Sequence, residues 1–254
     1  QKNIFQSRVI FTLCQRFPAT MRKVIGQTNR AMLGKDYPMD PNFTPPYNPW
    51  EQRLCVVPDG DMFKDLRAGR ASIVTGAIKT FTETGILLES GQELEADIIV
   101  TATGLNIQLF GGMTLAVDGA PVDLTKTVAY RGLMLSGLPN FAFVVGYTNS
   151  SWTLKVDMLC QYFIRILSYM DARGYTSVRP HTDPAMDTRP LLDFGAGYVQ
   201  RALDTLPRQG TVDPWQMSMS VYADRKLIKR GPVDDEFLVY KQVVPARDAE
   251  VVSA

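Results

Sequence analysis

Asp97-Ile98-Ile99-Val100-Thr101-Ala102-Thr103-Gly104-Leu105 is the stretch on which the fold reading turns. One acidic residue leads a run of three β-branched side chains, and the run closes on small residues and a glycine. So short an apolar run, bounded by turn formers, predicts a strand buried on both faces. Small residues at its end let another group approach the backbone closely. The residues just upstream predict more strand. Ala71 to Val74 is a short apolar piece, Ala77 to Thr82 alternates apolar and polar, and turns at Glu83-Thr84-Gly85 and Ser90-Gly91 enclose Ile86-Leu87-Leu88-Glu89 before Gln92-Glu93-Leu94. The expected order is a three-stranded meander, a buried strand and a glycine.

Further toward the N-terminus the period changes. Ile4, Phe5, Val9, Leu13, Phe17, Met21, Val24, Ile25, Met32 and Leu33 recur at three- and four-residue steps, which predicts helix over 3–33. Pro18 divides it into two. Arg8, Arg16, Arg22, Lys23 and Arg30 make the polar face basic, which reads either as a solvated face or as a peripheral membrane contact. Gly34 to Trp50 then carries five prolines among aromatic residues, the composition of an ordered, packed loop.

On the other side, 112–117 and 120–122 flank an Asp118-Gly119 hairpin turn. Phe141 to Gly146 predicts a second buried strand. A helix is expected from Trp152 to Arg173, with its apolar stripe on Leu154, Met158, Leu159, Phe163, Ile166, Leu167 and Met170 and Gly174 as its stop. Residues 193–206 predict another helix, Trp215 to Leu227 is moderately apolar, and the last dozen residues are expected to be loose.

Composition narrows the function classes. The chain has 254 residues, 45% apolar and 21% charged, which suits a globular protein with a sizeable core. With 27 basic against 26 acidic residues the net charge is +1, so no nucleic-acid partner is expected. Cys14, Cys55 and Cys160 stand far apart, without a Cys-x-x-Cys pair, which points to free thiols and a reducing, cytoplasmic setting. No run reaches the roughly 18 apolar residues of a membrane span. The chain opens Gln1-Lys2-Asn3-Ile4-Phe5 without an initiator Met, so it is expected to begin inside an element and to be a piece of a longer protein.

Several common chemistries lack their residues. Gly195-Ala196-Gly197 precedes a predicted helix without a strand before it, and a dinucleotide fingerprint needs that strand. His181 is the sole histidine, which leaves no triad or multi-histidine site, and no metal is expected.

A set of longer stretches carries a resemblance. Tyr47 to Asp59 (YNPWEQRLCVVPD), Gly146 to Lys155 (GYTNSSWTLK), Gly197 to Leu203, Leu206 to Gly210 and Pro214-Trp215 follow one another along nearly the whole chain. In that order they resemble the class B flavoprotein monooxygenases of the Baeyer–Villiger type, most of all mycobacterial-type members that oxidise ketones, thioethers and thioamides. The resemblance implies an α/β fold, the C-terminal parts of a two-dinucleotide-binding-domain flavoprotein. It implies 1–50 as a helical insertion and proline-rich loop of the NADP domain and 51–104 as the remainder of that domain with its meander. It implies 105–180 as the returning part of the FAD domain and 181–254 as a helical and extended tail.

The same resemblance places site residues. Arg53 falls on the family's active-site arginine, whose fixed guanidinium charge holds an anionic flavin peroxide and the nicotinamide amide. The position before it, where the family often carries a lysine that reads the NADP 2′-phosphate, is Gln52, so another basic residue would have to take that role. Ala102, Thr103 and Gly104 fall where such flavoproteins cross between domains. Asn149, Ser151, Trp152 and Thr153 fall at the isoalloxazine end of FAD, where a helix N-terminus stabilises charge on reduced flavin; Ser150 or Ser151 could instead be only the helix cap, and Trp152 only packing.

The implied activity uses FAD, NADPH and molecular oxygen. A C4a-peroxyflavin inserts one oxygen into a ketone or adds it to a sulfur substrate. The glycine-rich cofactor loops of the family lie upstream of Gln1, so these 254 residues alone are expected to be inactive. Two rivals remain: a non-catalytic remnant with a binding role, and a relative of the flavin disulfide reductases, which share the Asp-to-Ala-Thr-Gly segment but need a close cysteine pair.

Overall fold

The computed structural model describes residues 2–52, 54, 55 and 57–242. The chain divides after Leu105 into two compact units.

In the first unit, α1 (Lys2–Arg16) and α2 (Pro18–Leu33) pack against each other. Pro18 stands at the start of α2, where its missing N–H costs nothing, and the backbone bond from Phe17 N–H to Leu13 O closes the preceding turn. The basic and apolar residues of these helices are largely exposed; Cys14 and Leu33 are buried. A short α3 (Asp61–Arg67) follows the proline-rich loop. Leu33, Met39, Phe63 and Leu66 form the small core of this unit, with Tyr37, Phe43, Val57 and Ile73 against it. The loop is therefore packed, as its aromatic content predicts. Asn42 holds it to the chain downstream, donating to Ile73 O at 3.1 Å and accepting from Thr75 Oγ1 at 2.7 Å.

The meander forms as β1 (Ile78–Phe81), β2 (Gly85–Leu88) and β3 (Glu93–Glu95), antiparallel in that order. Gly85 has a specific reason: a Cβ there would stand 2.0 Å from Leu94 O. Two expected strands are absent. Ala71 to Val74 is irregular, and so is Asp97 to Leu105, with Ile98 and Val100 more than 80% exposed. A buried strand takes hydrogen bonds from strands beside it and apolar cover from elements on its faces. Among the described residues no strand pairs with 97–105.

The second unit opens with β4 (Ala116–Val117) and β5 (Ala120–Pro121) around Asp118-Gly119, both at positive φ as that turn requires. A second tight hairpin joins β6 (Ala129–Tyr130) to β7 (Met134–Leu135) through Arg131-Gly132-Leu133, the first two again at positive φ. Phe141 to Gly146 is buried at Phe143, Val145 and Gly146 but is not a strand; among the described residues only Ala142 makes a bridge, to Met134. The long α4 (Trp152–Arg173) is the spine. Gly174 ends it in the left-handed conformation, and Tyr175 N–H returns to Met170 O at 2.9 Å. Of the expected stripe, Met158, Leu159, Ile166 and Met170 are buried, while Leu167 is exposed.

Beyond α4, β8 (Ser177–Pro180) pairs with β11 (Leu238–Lys241), and β9 (Thr188–Pro190) with β10 (Arg208–Gly210), both antiparallel. The helix expected over 193–206 is reduced to α5 (Gly197–Gln200) and one 3₁₀ turn, Leu203–Thr205. A final α6 (Val221–Asp224) runs into a π turn, Arg225–Lys229, and both pack on α4. Ala129, Leu135, Leu138, Phe143, Val145, Leu191 and Met217 form a core cluster. The chain is thus mixed helix and strand, with every named strand pair antiparallel.

Candidate functional site

The entry to α4 is a closely built polar region of the second unit. Gly146 is required there because a Cβ would stand 2.4 Å from the Trp152 ring and 2.8 Å from its Cα. Ser151 occupies the N-cap position, but its hydroxyl contacts Thr153 Oγ1 at 3.0 Å and makes no capping bond. The first turn, which has no acidic residue, therefore keeps its partial positive charge and free donors. Ser151, Trp152 and Thr153 are exposed at this end. The cap-only reading of Ser151 fails on that geometry.

Residues on either side of this turn are tied to the tail. Tyr147 Oη donates to Asp224 Oδ2 at 2.6 Å, Thr148 Oγ1 lies 3.8 Å from Met219 Sδ, and Asn149 Nδ2 donates to Met219 O at 3.0 Å. One turn into α4, Lys155 Nζ donates to Ser218 O at 2.6 Å and pairs with Asp224 Oδ2 at 3.2 Å. Lys155 and Asp224 are both buried. Burial pulls the Lys155 ammonium below the usual lysine range, and Asp224 opposes that shift. Burial, followed by the bond to Asp224, pushes the Tyr147 phenol well above the usual tyrosine range. Asn149 Oδ1 is buried and has no partner, an acceptor open to a donor from a bound group.

A second buried cluster lies beside the first. Arg131 donates to Tyr130 Oη at 3.1 Å and to Asp235 Oδ2 at 3.2 Å, and Tyr130 Oη donates to the same carboxylate at 2.6 Å. Tyr162 Oη reaches Tyr130 Oη at 3.0 Å and donates to Pro232 O at 2.6 Å. A gap of about 10 Å³, lined by Arg131, Asp213, Lys155 and Asp224 among others, separates the two clusters.

In the first unit the proline-rich lip is held by Glu51, which accepts from Asn48 N–H at 2.8 Å and from Asn48 Nδ2 at 2.6 Å; Arg22 donates to Asn48 Oδ1 at 3.1 Å. The Asn48 backbone bond, then its side-chain bond, hold the Glu51 carboxyl below the usual range. Trp50 takes φ 71°, stacks edge-on to Phe11 at 5.4 Å, and has a buried Nε1 without a partner. Gln52 is half-buried and bridges to Pro49. Arg53 lies outside the described residues.

Ala102, Thr103 and Gly104 are exposed. Gly104 stands at φ 93° with nothing within 4 Å of where a Cβ would be, so its backbone angle, not a close neighbour, calls for glycine. The predicted site residues thus fall in both units: Gln52 and Ala102–Gly104 in the first, Asn149 and Ser151–Thr153 in the second. Among the described residues no group of histidine, cysteine and carboxylate side chains could hold a metal ion. The three cysteines are free.

The chain is 49% identical over 240 residues to the FAD-containing monooxygenase EthA of Mycobacterium tuberculosis, covering 93% of this chain and 49% of that protein. It is 47% identical to the putative FAD-containing monooxygenase MymA of the same organism (94% and 48%) and 46% identical to the probable FAD-binding monooxygenase AlmA of Acinetobacter baylyi (93% and 48%). The chain is a homologue of the FAD-containing monooxygenases. It spans about half the length of the curated relatives it matches. No family model and no solved structure matches it.

Within this monooxygenase homologue, sequence reasoning missed the buried polar residues. Lys155 closes the stretch Gly146 to Lys155 that carries the resemblance. Its signal was its place in the helix: it precedes Met158 and Leu159 by three and four positions, on the apolar stripe. A lysine there needs a buried counter-charge. Asp224 supplies it from 69 positions away, a distance no periodicity reveals.

Proposed function

We propose that this chain is the C-terminal half of an FAD- and NADPH-dependent monooxygenase of the Baeyer–Villiger type, which places one oxygen atom of O₂ into a ketone or onto a sulfur substrate. The observation that carries the reading is the α4 entry. Its uncapped first turn and the orphaned, buried Asn149 Oδ1 suit a flat polar ring with both donors and acceptors. FAD, when bound, supplies the electron transfer and the activation of oxygen. Asn149, Ser151, Trp152 and Thr153 would hold its ring, with Ala102, Thr103 and Gly104 at the crossing between domains of the dinucleotide-binding fold. Arg53 would offer fixed positive charge where negative charge develops, and Gln52 would meet NADP. The exposed apolar run at 98–100 suits a strand completed by the rest of a longer chain, so the isolated 254 residues would not turn over.

The decisive variant is Arg53→Ala in the full-length enzyme. FAD should stay bound, and oxygen transfer should fall by about 10²–10³-fold, the range for loss of one preorganised charge-stabilising group. Undiminished product formation removes Arg53 from its role. A stoichiometric flavin spectrum on the isolated 254 residues would refute the expectation that they are inactive without the rest of a longer chain.

A peripheral membrane contact of an otherwise cytoplasmic enzyme also has an observation behind it. Residues 1–35 contain seven basic and no acidic side chains. Phe5, Val9, Ile10 and Leu13 on α1 and Phe17 between the two helices are exposed, and no helix among the described residues is long and apolar enough to cross a membrane. Such a surface suits anionic lipid. Co-sedimentation with anionic vesicles that weakens as salt rises supports the contact; equal binding to neutral vesicles rejects it.

A further inference from the structure

We propose that Lys155, Asp224 and Tyr147 are positioning residues through which the tail segment 218–224 holds the α4 entry in its working shape. The inference rests on the reading that this entry faces the flavin ring. Five contacts stitch 147–155 to 218–224, and they bracket the uncapped turn. Tyr147, Thr148 and Asn149 are held on the approach, and Lys155 is held one turn into the helix. Between these two anchorages Ser151, Trp152 and Thr153 stand exposed. The geometry is a short arch fixed at both feet, with the tail as its base.

Stability alone does not explain the choice of side chains. A methionine or leucine at 155 would extend the stripe of Met158 and Leu159, and apolar replacements of a buried ion pair are often no less stable. The lysine is also poorly placed for its own helix. It is the fourth residue of α4, near the positive end of the helix dipole, where a cation is disfavoured. What the charge provides is direction: an ammonium must meet both Ser218 O and Asp224 Oδ2, and Asp224 must accept from Tyr147 as well. One carboxylate therefore ties both feet of the arch to α6. A hydrophobic contact has no such directional demand and would let the entry slide.

The consequence for the reaction is in its coupling. If the entry shifts, electrons taken from NADPH are lost to oxygen: NADPH, O₂ and a proton give NADP⁺ and H₂O₂, without an oxygenated product. The test uses the FAD-loaded full-length protein with Lys155→Met, Asp224→Asn and the pair combined. Each single variant should melt earlier than wild type, because it strands one buried charge. The double variant removes both charges, keeps an acceptor for Tyr147, and should regain most of the melting temperature. Its amides at 148–153 should nonetheless exchange about tenfold faster or more, with the rest of α4 unchanged, and H₂O₂ per NADPH should rise severalfold. A stable double variant with wild-type exchange, or with wild-type coupling, overturns the proposal. Should the double variant fail to fold, Tyr147→Phe decides the matter: it removes one bond to Asp224 without moving a charge, and unchanged exchange at 148–153 overturns the anchoring. If the wild-type protein binds no flavin, the monooxygenase reading fails, while the exchange measurements still decide whether the tail holds the arch.

Discussion

The run Ile98-Ile99-Val100 and the side chains Lys155 and Asp224 invert the usual relation between polarity and burial. The first is as apolar as any stretch of the chain, yet Ile98 and Val100 are 82% and 83% exposed. The second is a pair of opposite full charges, and Lys155 and Asp224 are 0% and 1% exposed. The difference lies in partners. An extended run can be buried only when other strands take up its N–H and C=O groups, and 97–105 has no strand neighbour among the described residues. Charged groups can be buried when every donor and acceptor around them is answered, and the Lys155 ammonium meets Ser218 O and Asp224 together. Hydropathy states what a residue would prefer; the neighbours decide whether the preference is met.

The contrast can be broken at its strongest point first. Asp224→Ala should lower unfolding stability by about 3–5 kcal/mol, because it leaves the Lys155 ammonium buried without a counter-charge. Urea unfolding of the chain measures it, and a loss below about 1 kcal/mol would mean that water reaches the pair. Next comes Leu159→Ala, a change at a fully buried position of the same helix. It should cost about 2–5 kcal/mol through lost transfer energy and the cavity left behind, read from the same titration. The smallest effect belongs to the apolar run. Val100→Asp should change the stability of the 254-residue chain by no more than about 0.5 kcal/mol, as for other exposed positions. In a full-length protein where 97–102 is a central strand, the same substitution should instead destabilise by several kcal/mol, about the penalty for an unpaired buried charge. Equal, small effects in both settings would show that the run is never a buried strand.

Much of the fold was legible because it is local. Pro18 ends one helix and starts the next, Trp152 to Arg173 carries its own stripe and its own glycine stop, and Asp118-Gly119 names its hairpin. These features depend on neighbours within a few residues. The meander was legible for the same reason. Its strands follow one another through short turns, and Gly85 is needed where β2 passes Leu94 O. What failed was non-local. Phe141 to Gly146 has the composition of a strand but is buried as irregular chain, because among the described residues one bridge from Ala142 to Met134 is its only pairing. Strands β8 and β11 lie about sixty residues apart, and nothing in either segment announces the other.

The candidate site divides along the same line. Asn149, Ser151, Trp152 and Thr153 were found because they sit in one contiguous stretch at a helix start. The cap reading of Ser151 is decided only by the fold, in which its hydroxyl meets Thr153. The buried anchors Lys155, Asp224 and Arg131 are not legible because a charged side chain reads as surface until its partner is seen, and Tyr147 because its partner lies 77 positions away.

By itself, then, the sequence determined α1, α2 and α4, the Asp118-Gly119 turn, the meander and the kinship with FAD-containing monooxygenases, since each is written in contiguous residues. Tertiary structure alone decided which charges lie inside, that the tail grips the entry of α4, and that 97–105 pairs with no strand among the described residues. The physical reason is range. Backbone propensity and turn chemistry act over a few residues, whereas the desolvation of a charge or the pairing of a strand depends on groups that the fold brings in from elsewhere.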